Sequence, residues 1–90
     1  MVITRETVRD RLVAYLNREI SLAQLVDWAE DALCEGEMAE QDSALLSEIL
    51  ARLGAADIGE FGLTWEECAS FLAQLGYQAQ VKAIALAAEL

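Results

Sequence analysis

The chain has 90 residues, which is the size of one small domain. It contains 6 Lys and Arg against 16 Asp and Glu, and no His, so its formal net charge is −10. A chain this acidic repels a phosphate backbone and an anionic membrane surface, so we expect neither nucleic acid nor a membrane as a partner. Apolar residues make up 56% of the chain, which is enough to build a core.

Apolar residues recur with helical spacing along the whole chain, and glycines separate the periodic stretches. This spacing predicts an all-α fold, a single compact bundle of four to five short helices. The predicted bounds are 4–17, 21–35, 42–53, 64–75 and 77–90. No stretch alternates apolar and polar residues as a half-buried strand does, so we predict no strand.

Local signals mark where several of these helices begin and end. Ser21 with Gln24, and Thr64 with Glu67, have the spacing of a capping box at a helix start. Gly36 follows the second predicted helix, and we expect it to end that helix in the left-handed conformation that glycine tolerates.

The acidic residues are concentrated between residues 27 and 67, where twelve acids stand against the single base Arg52. On the second predicted helix they fall opposite the apolar stripe, and they continue through the turn that follows. Two interpretations stay open: a solvated face that keeps an apolar protein soluble, or a docking surface for a basic partner protein. The candidate partner-binding acids are Asp27, Glu30, Asp31, Glu35, Glu37, Glu40 and Asp42.

The two tryptophans lie where an apolar surface meets a polar one. Trp28 is on the flank of the second predicted helix, and Trp65 begins the fourth. Aromatic residues in such places belong either to the edge of the protein's own core or to an interface, where aromatics are enriched. Trp28 therefore joins the candidate partner-binding residues, as an apolar anchor beside the acids.

The sequence predicts no catalytic residue, no cofactor and no metal site. Without His, the chain lacks the usual proton shuttle near neutral pH and the commonest transition-metal ligand. Cys34 and Cys68 alone cannot complete a four-ligand zinc site. The serines have no His to activate them, and no glycine-rich phosphate-binding motif is present. We therefore expect a protein that is not an enzyme.

The cysteines also bear on where the protein works. Cys34 falls on the acidic side of the second predicted helix, whereas Cys68 falls on the apolar side of the fourth and is predicted to be core. The first twenty residues carry several charges and contain no secretory h-region. Two unpaired thiols without a secretory signal indicate a reducing compartment, so we expect a cytoplasmic protein.

One stretch of the chain resembles a known family. The sequence ISLAQLVDWAEDAL, together with the later DSALLSEIL and LTWEEC, resembles the helical immunity proteins of bacterial toxin systems. A similar helix in that family carries the pattern IS-x-x-E-L-x-x-W-A, and here Gln24 stands in place of the acidic residue. The resemblance implies an acidic, cytosolic, all-α antagonist that binds and blocks a basic toxin.

A second resemblance is to acyl carrier proteins, which are also acidic helical bundles of this size. They carry a phosphopantetheine arm on the Ser of a D-S-L motif at the start of a helix. Asp42-Ser43-Ala44 lies at such a start, although Ala44 replaces the Leu. This resemblance implies Ser43 as the attachment site, whereas an Asp-Ser pair is also a common helix start in general.

A third alternative is a structural protein that associates with itself. A small domain of modest stability often gains stability from a second copy. The Ala-rich predicted helix at the C-terminus carries Val81, Ile84 and Leu86, and we expect a homodimer contact there if one forms.

Overall fold

The computed structural model describes residues 1–58 and 62–86, and the fold there is mostly helical. Its four helices match the first four predicted stretches to within one residue at each end. They are α1 (Arg5–Leu16), α2 (Leu22–Glu35), α3 (Ser43–Gly54) and α4 (Trp65–Gln74). In this part of the chain, none of the helices has both the length and the apolar content needed to cross a bilayer.

Both predicted capping boxes are present. The Ser21 hydroxyl accepts a hydrogen bond from the Gln24 backbone N–H at 3.1 Å, and the Gln24 side-chain oxygen accepts one from the Ser21 backbone N–H at 2.8 Å. Each bond satisfies a backbone donor that has no partner within the helix. The other two boxes of this kind start α4 and α1 and join Thr64 to Glu67 and Thr4 to Thr7.

A short pair of parallel strands connects the beginning of the chain to the segment after α2. Strand β1 (Val2–Ile3) pairs with β2 (Glu37–Met38), with Val2 opposite Glu37 and Ile3 opposite Met38. The prediction of a purely α fold is wrong at this point. Strands of two residues are too short to show the alternation by which a sequence predicts a strand.

Gly36 is required for a different reason from the one predicted. Its φ of −77° and ψ of 148° are extended, so the expected left-handed cap is wrong. A Cβ placed on Gly36 would lie 2.6 Å from Cγ1 of Ile3 and closer still to the carbonyl oxygen of Ala32. Glycine is needed because a Cβ would collide both with the last turn of α2 and with Ile3 of β1, which passes over it.

The core lies between the helices, and the most extensive packing joins α2 to α3. Helix α1 packs against both α2 and α4. Most of the buried apolar side chains come from the four helices, and Ile3, Ala56, Leu63 and Leu75 come from the segments that flank them. The core includes Cys68, as predicted. The buried apolar side chains are Ile3, Val8, Leu12, Leu25, Val26, Ala29, Ala32, Leu46, Ile49, Leu50, Leu53, Ala56, Leu63, Cys68, Leu72 and Leu75.

The predicted fifth helix is absent from the part of its range that the structure describes. Residues 77–86 have no regular secondary structure, and residues 87–90 lie outside the described residues. Val81, Ile84 and Leu86 are 80%, 75% and 89% exposed, so this segment has no packed apolar face. A short helix needs such tertiary packing to be stable in water, even when it is rich in Ala. We call residues 77–86 the C-terminal arm.

The close approach at Gly36 gives a test of the fold. We expect Gly36→Ala to lower the free energy of unfolding by about 1–3 kcal/mol, because the new methyl group overlaps Ile3 and the α2 backbone. Gly54→Ala is the matched control. A Cβ there would meet nothing closer than the Cγ of Glu30 at 3.4 Å, so we expect unchanged or slightly raised stability.

Both free energies are measured by urea unfolding followed by circular dichroism. Equal stability of the two variants would show that β1 does not lie over the end of α2.

Candidate functional site

Helix α2 presents its acids to solvent because its opposite side is buried. Leu25, Val26, Ala29 and Ala32 are buried on one side of the helix. At 3.6 residues per turn, the acids of α2 fall on the remaining arc, and Glu37 and Glu40 of the segment after α2 are exposed as well. We call the exposed set the acidic surface, and it consists of Asp27, Glu30, Asp31, Glu35, Glu37 and Glu40.

The six carboxylates of the acidic surface form no ion pair with residues that the structure describes. The ion pairs found there all lie elsewhere and join Arg5 to Asp42, Arg9 to Asp10 and Arg52 to Glu67. Neighbouring acids four residues apart on α2, such as Asp27 and Asp31, repel each other by a few tenths of a kcal/mol. The surface therefore carries a concentrated negative charge that the described part of the protein does not compensate.

Asp42, the seventh predicted acid, lies in a different environment. Its Oδ1 accepts hydrogen bonds from Nε and Nη2 of Arg5 at 3.1 and 2.9 Å, and its side chain is only 19% exposed. Nη1 of Arg5 also donates to the carbonyl oxygen of Leu75 at 3.3 Å. The hydrogen bond and the charge of Asp42 raise the pKa of the Arg5 guanidinium. Asp42 thus joins the start of α3 to α1 and the end of α4.

Ser43 follows Asp42 at the start of α3. Its hydroxyl donates a hydrogen bond to the carbonyl oxygen of Glu40 at 3.2 Å, and the residue is half-buried. This bond ties the first residue of α3 to the preceding 3-10 turn, Glu40–Asp42. The Ser43 hydroxyl is the attachment site that the resemblance to acyl carrier proteins implies. In this fold it is hydrogen-bonded to the backbone of Glu40.

The different environment of Asp42 gives a prediction. Asp42→Asn should lower the midpoint of urea unfolding, because it removes the charge that holds Arg5 against the end of α4. Asp27→Asn is the matched control. It should leave the midpoint unchanged or raise it, since it relieves repulsion with Asp31 without breaking an ion pair. A midpoint for Asp42→Asn at or above that of the unmodified protein would contradict a structural role for Asp42.

Trp28 belongs in part to the protein's own core. It is half-buried and packs against the core cluster, and the Arg11 guanidinium lies 5.2 Å from the centre of its ring. Such a cation–π contact is worth about 0.5–1 kcal/mol at a partly exposed site. The rest of the ring lies at one border of the acidic arc of α2, where it is available as an apolar contact.

Leu33 is an apolar residue of this region that the sequence argument missed. The helical wheel places it within the buried stripe of α2, between Ala29 and Val26, yet it is 39% exposed. It lies three residues after Glu30, so the two are neighbours on the helix surface, on the side away from Trp28. The spacing gives no signal of this exposure, which depends on what packs over the end of α2. The acidic arc is therefore flanked by a partly exposed apolar side chain on each side.

The two cysteines lie where the sequence predicted. Cys34 is exposed on α2 among the acids, and Cys68 is buried in α4. Burial, with a smaller contribution from the charge of Glu67, raises the pKa of the Cys68 thiol to about 11. Within the described residues, no three His, Cys, Asp or Glu side chains converge as metal ligands do.

The difference in exposure between Cys34 and Cys68 is measurable with a thiol reagent. In the native protein at mildly alkaline pH, Ellman's reagent should label Cys34 in a phase that is rapid relative to that of Cys68, although the neighbouring carboxylates slow its reaction with this anionic reagent. Cys68 should react only as fast as the protein unfolds, because the reagent needs an accessible thiolate. In Cys34→Ser the rapid phase should disappear, and denaturant should restore labelling of the remaining thiol. Rapid labelling of native Cys34→Ser would show that Cys68 is not buried.

Comparison of the chain with protein-family models, with curated proteins and with solved structures finds no match. A functional assignment therefore depends on the exposure, charge and pairing of this chain's own residues. The acidic surface is an array of exposed acceptor oxygens, and α2, which carries four of its six acids, is held by packing against α3. Such an array is suited to binding Lys and Arg side chains, because carboxylates form charge-assisted hydrogen bonds with both.

Proposed function

We propose that the protein is a non-catalytic antagonist whose acidic surface binds and blocks a basic region of another protein. The observation that supports this is the set of six exposed carboxylates on α2 and the segment after it, none of them paired with a cation of the described residues. Repulsion within the set disfavours the folded protein on its own. A cationic partner converts that repulsion into attraction.

The mechanism is electrostatic at long range and steric at short range. The field of the acidic surface acts over about one Debye length, roughly 10 Å at 0.1 M salt, and steers a basic surface toward α2. Once the two are in contact, Lys and Arg of the partner pair with the carboxylates. Trp28 and Leu33 supply apolar contacts at the two borders, which helps to exclude water from the charged centre. The bound helical body then covers the partner's basic site.

This proposal agrees with the resemblance of the ISLAQLVDWAEDAL stretch to immunity proteins, which are acidic antagonists of basic toxins. The competing explanation is that the acids only keep an apolar protein soluble. The two explanations differ in whether the position of the acids on the protein affects its function. Solubility depends on the net charge of the whole protein, whereas docking depends on the charge at α2.

A pair of charge-reversed variants separates these explanations. Asp27→Lys combined with Asp31→Lys should abolish capture of a stoichiometric basic protein from the native host's lysate, and should slow association with that purified protein about tenfold or more at low salt. The matched control is Glu19→Lys combined with Glu48→Lys, both exposed acids outside the acidic surface. Both double variants change the formal net charge from −10 to −6.

We expect the control to bind almost as the unmodified protein does, because the acidic surface is intact. Mass spectrometry identifies the captured protein at low and at moderate salt, and surface plasmon resonance gives the association rate. An equal loss of partner binding in both double variants would show that binding depends only on the net charge of the protein. Retention of the partner by Asp27→Lys with Asp31→Lys would show that the acidic surface is not the docking site.

A further inference from the structure

The C-terminal part of the chain differs from the rest in charge. Residues 68–86 contain no Asp or Glu, although the whole chain has 16, and Lys82 is the one charged residue among them. The outer part of the arm, residues 80–86, is exposed at every position. It carries the three large apolar side chains of the arm, Val81, Ile84 and Leu86.

The arm projects away from the helical body. The molecule is 52 Å long but only 27 and 22 Å in its other two dimensions. Its longest helix has 14 residues and is therefore about 21 Å long, so the helices alone do not account for the long axis. At the base of the arm, Tyr77 and Ala79 pack against the core, and residues 77–82 run alongside α1 and α4. Beyond them, residues 83–86 are exposed at every position, so Ile84 and Leu86 lie in solvent.

A groove of about 510 Å³ lies between α1, α4 and the first part of the arm, since residues 77–82 form one of its walls. Arg9 positions the base, since its guanidinium lies 4.9 Å from the centre of the Tyr77 ring and its Nη1 donates to the Tyr77 hydroxyl at 3.2 Å. No acidic residue lines the groove. Its apolar lining from the helices consists of Val13, Leu16, Trp65 and Leu72.

We propose that the outer end of the arm of one copy of this chain, residues 83–86, occupies the groove of a second copy, so that two copies form a dimer by exchanging these ends. Each copy supplies one arm and one groove, so the contact repeats across a twofold axis and closes at two subunits. Transfer of Ile84 and Leu86 from water to the groove supplies the driving force, because both side chains are largely exposed in the single chain.

Charge selects a second copy as the occupant. Two chains of net charge −10 repel each other, and they approach closely only through surfaces without acids. The arm and the groove are both free of acids, so their contact leaves the acidic surfaces exposed to solvent. Arg9 and Lys82 at the groove disfavour the basic protein that we propose for the acidic surface. The dimer contact is therefore separate from that docking surface.

The test is the mass of the full chain in solution, measured by sedimentation over a range of concentrations. We expect a dimer for the unmodified protein and a dissociation constant raised about tenfold or more in Ile84→Asp and in Val13→Asp, which place an acid on the arm and in the groove. Ile58→Asp is the matched control, because Ile58 is 79% exposed, close to the 75% of Ile84, and does not line the groove. It should stay dimeric.

A mixture of the two disruptive variants separates arm exchange from other kinds of contact. Ile84→Asp keeps an intact groove and Val13→Asp keeps an intact arm, so a mixed dimer retains one of the two contacts. We therefore expect the mixture to sediment with a larger mass than either variant alone. The helical circular dichroism of all three variants should match that of the unmodified protein, since each substitution is at an exposed position.

Three results would overturn the proposal. The first is an unmodified chain that stays monomeric at every concentration, and the second is a dimer that Ile84→Asp does not weaken. The third is a mixture that stays monomeric while both variants are folded, which would indicate contact between two arms or two grooves instead. None of these results affects the acidic surface, whose test uses substitutions on α2.

Discussion

The packing of α2 against α3 is the constraint on which the other features depend. Leu25, Val26, Ala29 and Ala32 are all buried along one side of α2, and they set the rotation of the helix about its axis. The two alanines among them allow close approach, as small side chains do wherever elements pack tightly. With this rotation set, the acids of α2 have no position other than the solvent side. The acidic surface is thus a consequence of the core, and its geometry is as rigid as the core.

The end of α2 imposes a second constraint. Gly36 lets β1 pass over the last turn, which buries Ile3 and brings Glu37 into register with Val2. The chain then turns into α3, where Asp42 meets Arg5 at the start of α1. One segment after α2 therefore carries exposed acids of the acidic surface at Glu37 and Glu40, and an internal ion pair at Asp42. Residues of the same charge and close in sequence have different roles because only one of them lies next to an arginine.

Charge divides the molecule into two regions with different binding properties. The acids on α2 and the segment after it favour a cationic partner, whereas the acid-free stretch from Cys68 to Leu86 favours an uncharged apolar one. A strong net charge of one sign opposes self-association, and the repulsion is weakest where that charge is absent. The two proposed contacts are compatible for this reason. An antagonist that pairs through its arms keeps both acidic surfaces open to a partner.

Much of the fold was predictable from local patterns. Helical spacing, capping boxes and glycines located α1 to α4 to within one residue, and the wheel of α2 placed its four candidate acids on the exposed side, while two of the three that follow α2 are exposed as well. These features depend on residues three or four apart, which interact within one helix. The seventh, Asp42, could not be set apart from the others, because its partner Arg5 is 37 residues away.

The remaining differences between the predicted and the observed structure also come from contacts between residues far apart in the chain. The β1–β2 pair, the crowding at Gly36 and the exposure of Leu33 all depend on which segments meet in space. The Ala-rich residues 77–86 have good helix formers, yet they have no packed face, and propensity alone does not hold a short helix. By itself, then, the sequence determined the helices, the core stripes and the acidic character of one side. Only the tertiary structure decided which charges are paired, which glycine is crowded and which apolar residues remain in water, because these properties depend on contacts between residues far apart in the chain.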